Sequence, residues 1–213
     1  ASGIISPAML VFRDRLLANI DAMIAIAGDP SRLRPHCKTH KTREVVALQI
    51  ERGILKHKCA TFAEAEMLVE AGVRDICLAY NLVGPNIDRA VAFRSTYPDV
   101  TFSATADHAD PIRDLGQAMA AAGQQIEVLL DIDTGQHRTG VGVGDQADTL
   151  YRLISDTDGL ALGGFHVYDG HQHQEDRDGR PGGPPKSVRR CRSLALLERG
   201  TAAVHPNRLA LEE

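Results

Sequence analysis

Residues 34–41 read Arg-Pro-His-Cys-Lys-Thr-His-Lys and form the most unusual stretch of the chain. In an extended conformation side chains alternate between faces, so Arg34, His36, Lys38 and His40 share one side. A lysine beside other cations has its charged form disfavoured, and its pKa falls. The neutral amine is the form that condenses with an aldehyde. The competing reading is a solvated basic strand end, although exposed basic clusters rarely sit inside an otherwise apolar pattern. A second stretch, residues 127–140, places Glu127, Asp131 and Asp133 on one face and Ile126, Val128, Leu130 and Ile132 on the other, with Arg138 after an expected turn at Gly135. This is either a lined site or a strand whose acids meet solvent, with an arginine capping the loop. In the third, residues 165–173, His166 and Tyr168 alternate onto one face, and His171 and His173 continue into a loop. Histidines this closely spaced are weak evidence for a metal, and a surface histidine-rich loop explains them equally well.

The elements that must position these residues follow a repeating rhythm. Strands are expected at Arg32–Lys38, Leu55–Thr61, Asp75–Tyr80, Val100–Ala106, Ile126–Asp133 and Leu160–Tyr168. Between them, helices are expected at Leu16–Ala27, Thr42–Glu51, Ala63–Ala71, Pro85–Arg94, Pro111–Ala121 and Gln146–Ser155. Gly28, Gly53, Gly72, Gly123 and Gly159 each stand just past a helix, where a left-handed residue ends it. Asp110 before Pro111 reads as an N-cap followed by proline at the first helical position. Alternating βα units imply a parallel sheet. Charged residues late in several strands favour a (β/α) barrel with an open C-terminal mouth over a sheet covered on both faces.

Composition removes other classes. The chain has 213 residues and a formal charge of -4, which points to neither nucleic acid nor an anionic membrane. It lacks tryptophan, and aromatics make up 4% of it, which argues against a stacking surface for single strands. The four cysteines show no paired spacing and read as free thiols of a reducing, cytoplasmic compartment. We find no signal-peptide pattern and no apolar run of membrane-spanning length. The phosphate loop GxxxxGK[ST], the dinucleotide motif GxGxxG and the GxSxG elbow are all absent.

Taken together, these stretches resemble the fold-type III pyridoxal-phosphate enzymes, in the group of D-threonine aldolase and D-serine dehydratase, distant relatives of alanine racemase. RPHCKTHK is similar to that group's RPHxKTHK signature, residues 58–85 to its next two βα units, DTGQHRTGV to its DxGxxRTG stretch, and residues 165–171 to its HxYDGH stretch. The resemblance covers about residues 5–176. It implies a barrel of the alanine racemase kind, of which about six βα units are present and the C-terminal β-domain is missing. It implies pyridoxal 5'-phosphate bound covalently to Lys38, with His36, Arg138 and Tyr168 at the cofactor. It assigns substrate deprotonation to His171, with His166 and His173 as rivals.

The implied reaction cleaves D-3-hydroxy amino acids to glycine and an aldehyde. The alternatives are a dehydratase acting on D-serine or 3-hydroxyaspartate, a non-catalytic cofactor carrier, and an inert fragment. Relatives also use a divalent metal, Mn or Zn, whose ligands lie in the domain missing here, and are often homodimers. Residues 177–213 hold seven arginines against twelve in residues 1–176, and this break in composition marks them as an irregular tail unrelated to the family. A short helix is expected there at Ser193–Arg199, and the tail is expected to be out-of-frame or unrelated sequence after a truncation. Six core strands where a barrel needs eight leave open edges, so little catalysis is expected from this chain alone.

Overall fold

The helices end where local chemistry stops them. In the computed structural model, which describes residues 3–171, α1 (Arg13–Ala27) runs to Gly28. The φ of 78° there turns the Gly28 N–H back onto the Ile24 carbonyl. Gly53, Gly72, Gly123 and Gly159 also have positive φ, as their positions predict. The remaining helices are α2 (Arg43–Ile50), α3 (Phe62–Glu70), α4 (Pro85–Thr96), α5 (Ala109–Ala121) and α6 (Asp145–Asp156). One cap differs from expectation. Helix α5 starts at Ala109, and the His108 ring nitrogen, not Asp110, accepts the N–H of Asp110. An imidazole nitrogen caps as a carboxylate does, and Pro111 then falls in the first turn, where a missing N–H is harmless.

The strands are β1 (Lys56–Cys59), β2 (Asp75–Asn81), β3 (Thr101–Ala106), β4 (Ile126–Asp133), β5 (Val141–Gly142) and β6 (Leu160–Tyr168). All pair in parallel, β1 to β2 to β3 to β4, with β6 on β4. The short β5 joins Ile132 and Asp133 of β4, beyond the last β3 pairing at Leu130. The main strands follow chain order without reversal. Right-handed crossovers between consecutive parallel strands therefore stack the helices on one face. That is the arrangement of successive units in a (β/α) barrel; a doubly wound sheet reverses its order and carries helices on both faces.

The expected strand at Arg32–Lys38 does not form. Two short 3-10 turns, Pro30–Arg32 and Cys37–Thr39, take its place, and only His36 bridges to Lys58 of β1. Asp29 caps the first turn through Ser31 N at 2.7 Å. Pro35 cannot donate to a ladder, and its carbonyl takes Lys58 N instead. The His36 ring accepts Lys38 N at 3.2 Å and curls the chain into the second turn. The alternation that would put Arg34, His36, Lys38 and His40 on one side is therefore lost.

The helix-facing side of the sheet is dry. Ile126, Val128, Leu130 and Ile132 of β4 are at most 2% exposed, as are Ile76, Leu78 and Phe102. Full burial of such a side chain contributes about 1.5–3 kcal/mol. Phe62, Phe93 and Phe102 meet at centroid distances of 4.4 to 6.2 Å, tying α3 and α4 to β3. The stacked rings of Tyr151 and Phe165, 4.8 Å apart, seat α6 on β6. Among the described residues no helix is long and apolar enough to cross a membrane.

Candidate active site

The other face of the sheet is polar toward its C-terminal edge. Period-two alternation puts Asp131 and Asp133 of β4 opposite the dry side. It puts His166 and Tyr168 of β6 opposite Phe165. Register pairs Asp131 with His166 and Asp133 with Tyr168. The His166 Nδ1 and Asp131 Oδ1 atoms are 2.6 Å apart, with side chains 10% and 7% exposed. Burial pushes the Asp131 carboxyl upward, but hydrogen bonds from His166 and Thr139 and the charges of His166 and Arg138 outweigh it and hold it below its ordinary 3.8.

The loop after β4 is fastened to the same edge. Asp133 accepts Gly135 N at 2.9 Å, His137 N at 3.0 Å and the His137 ring at 2.7 Å. Thr134 Oγ1 donates to the Tyr168 carbonyl at 2.9 Å. Gly140 N donates to Asp107 at 2.8 Å. Its φ is +94°, and a Cβ there would stand 2.6 Å from Asp133 N, so only glycine lets the loop return this closely. Arg138 is thereby held with its guanidinium 4.5 Å from the Tyr168 ring centre. His171 lies beside Gly135, and its Nδ1 is buried with no partner among the described residues.

On the β1 side, Lys38 is exposed at the centre of its turn, and Cys37 beside it is fully buried. Arg34 turns away to Asp75 at 2.7 Å. His36 is half-buried, and its pKa falls to about 4: burial lowers it, as do the Lys38, Lys58 and His166 charges, against Glu64. His40 is also lowered by burial, and its ring accepts Thr42 N. Lys58, half-buried on β1, is lowered by burial, with Arg34 and Lys38 adding and Asp131 opposing. His36 and Lys58 thus feel charges from both the lysine turn and the Asp131–His166 pair.

Of the residues singled out from sequence, Lys38 and His36 gather at one end of the site, and His166, Tyr168, Arg138 and His171 at the other. His173 and the tail lie outside the described residues. Asp131 was legible only as an acid on the polar face; its pairing with His166 depends on strand register, which a local pattern does not carry. Glu64 gave no signal at all.

Ligand atoms of His36, Cys37 and Glu64 lie within 4.8 Å of one another. All three groups already have partners within the protein. The Cys37 thiol is pushed up to about 12, chiefly by burial and then by Glu64, so it keeps its proton. The Glu64 oxygens already accept from Lys41 and Ala60, and His36 Nδ1 from Lys38 N.

Residues 11–182 match the family described as alanine racemase, N-terminal domain. The chain is 34% identical to a D-threonine aldolase of Arthrobacter sp over 185 residues, which are 85% of this chain and 48% of that protein. Its structure is similar to the crystal structure of D-threonine aldolase from Filomicrobium marinum, with a TM-score of 0.76 and 31% identity, over 91% of this chain and 51% of that one. It is also similar to D-threo-3-hydroxyaspartate dehydratase from Delftia sp. HT23, with a TM-score of 0.78 and 27% identity, over 96% and 54%. The chain spans about half the length of the curated relatives it matches.

Proposed function

We propose that this chain, which belongs to the alanine racemase N-terminal-domain family, carries the cofactor-binding face of a pyridoxal 5'-phosphate-dependent lyase for D-3-hydroxy amino acids. The observation that carries the reading is an exposed amine, Lys38, on a turn bridged to β1, whose neighbours His36 and Lys58 also feel the charges of the buried Asp131–His166 pair. The aldolase and dehydratase relatives support it.

The residues fit the cofactor's aldehyde and ring. Lys38 supplies the primary amine, Tyr168 an aromatic face with Arg138 already over it, and His171 a buried nitrogen with no partner among the described residues. We assign no phosphate cradle among the described residues. When bound, the cofactor supplies an electron sink for a carbanion at the substrate α-carbon.

The chain's own residues handle orientation and protons. Lys38 would hold the aldehyde, and Arg138 would fix the ring side. The Asp131 carboxylate can only accept, so it places the His166 proton on Nδ1 and leaves Nε2 as the basic nitrogen. His166 Nε2 would take the proton of the 3-hydroxyl, the Cα–Cβ bond would break to release the aldehyde with its electron pair left on the α-carbon, and return of one proton to that carbon would give glycine. His171 is the second candidate for this proton.

The test is spectroscopy of the purified chain with pyridoxal 5'-phosphate, borohydride reduction and peptide mapping. The expected label lies on Lys38 and is absent in Lys38→Ala. A label on a different lysine overturns the assignment. With D-threonine or D-3-hydroxyaspartate, glycine plus an aldehyde marks the aldolase. A keto acid plus ammonia marks the dehydratase.

A further inference from the structure

Lys38 stands on a three-residue turn whose two flanks are tied to a single carboxylate. Before it, the Cys37 thiol lies 3.8 Å from Glu64 Oε2. After it, Lys41 Nζ donates to Glu64 Oε1 at 2.7 Å. Oε2 also accepts Ala60 N at 2.7 Å, at the corner where β1 passes into α3. The backbone of Glu64 is fixed in turn, since its N–H donates to the Thr61 Oγ1 cap at 3.1 Å. Its side chain is 4% exposed.

Lys41 has a φ of 51°, a left-handed conformation that a non-glycine residue keeps only where its surroundings hold it. Two contacts do so: the Glu64 ion pair and the bond from Lys41 N to the Cys37 carbonyl at 2.8 Å. The second lysine of RPHCKTHK thus has a task separate from the first.

We propose that Glu64 is the positioning residue for Lys38, a buried carboxylate that clamps the residues on either side of the lysine and fixes where its amine stands. The proposal rests on Lys38 being the cofactor lysine. Misplacing a reacting group by about 1 Å is enough to cost about a hundredfold in rate, so a clamp on both flanks acts directly on aldehyde capture.

Three variants of the full chain test it: Glu64→Gln, Lys41→Met and Lys41→Arg. The first readout is the share of borohydride-fixed pyridoxal 5'-phosphate on Lys38 against Lys56 and Lys58. The second, with no cofactor present, is hydrogen exchange of the peptide spanning residues 37–42. Glu64→Gln is expected to cut capture at Lys38 about tenfold or more, with far-UV dichroism unchanged and exchange in the turn accelerated. Lys41→Met is expected to lose less, because Ala60 N and Cys37 still hold Glu64, and Lys41→Arg to behave as wild type.

Wild-type capture in a folded Glu64→Gln, or a Lys41→Arg as impaired as Lys41→Met, overturns the proposal. Should Glu64→Gln not fold, the two Lys41 variants decide it, since that side chain is 62% exposed. Should the wild type capture cofactor at no lysine, the proposed function fails. The exchange readout still judges the clamp: unchanged exchange in both Glu64→Gln and Lys41→Met removes it.

Discussion

Changing Asp131 to Asn removes one charge from the polar face and leaves its shape. The oxygen lost lies 2.6 Å from His166 Nδ1, in a pair at most 10% exposed, so solvent screens it little. A hydrogen bond to a charged group contributes about 1.5–3 kcal/mol, and the amide oxygen of Asn recovers about 1 of these. The net loss is then about 0.5–2 kcal/mol, or roughly 1–8 °C in Tm for a domain of this size.

The pH dependence gives a sharper check. The folded pKa of Asp131 lies below 3.8, so its stabilisation is fully present above that value and is lost as pH falls through the lower folded value. Urea unfolding followed by far-UV dichroism, with His166→Gln and the double variant completing a cycle, isolates the pair. The reasoning is refuted by a coupling at neutral pH below about 0.5 kcal/mol, the usual error of additivity, or by a gap that persists undiminished well below pH 3.8.

Two further perturbations have definite signs. His57 is fully buried against Gln49, and burial, with the His40 and Arg34 charges adding, lowers its pKa from 6.5 to about 4. Its contribution is therefore present above 6.5 and declines as pH falls toward 4. Wild-type stability should drop by about 2 kcal/mol between pH 7 and 5 from this group alone, and His57→Gln should remove that part of the slope in urea titrations at the two pH values. Gly140→Ala forces a side chain into left-handed backbone 2.6 Å from Asp133 N, and should destabilise by about 2–4 kcal/mol in denaturant unfolding; a change under about 0.5 kcal/mol would show that the loop after β4 is not held as described.

Much of the fold was legible because the relevant signals are local. Five of the six helices were marked by a glycine just past the end, and β4 by strict alternation, so these elements formed within a few residues of expectation. The expected strand at Arg32–Lys38 failed where two local signals conflict: its apolar and basic residues suit a strand, yet Pro35 and the His36 ring draw the backbone into a turn. The two-residue β5 has no pattern long enough to read. In the site, residue types identified Lys38, Arg138 and His166. Their partners were not identified this way: alternation placed Asp131 on the polar face, but its pairing is set by register, and Glu64 is set by a helix start some 26 residues away, which leaves no periodic trace.

The strands lie side by side in the order in which they are synthesised, β1 to β4 and then β6. Every pairing is therefore made with a stretch of chain that has already left the ribosome. Each strand can dock as soon as its preceding helix has emerged, without waiting for a distant partner. The lysine turn comes at the start of this sequence and the histidine strand at its end. The half of the site that would seize the aldehyde is thus synthesised before the half that would move the proton.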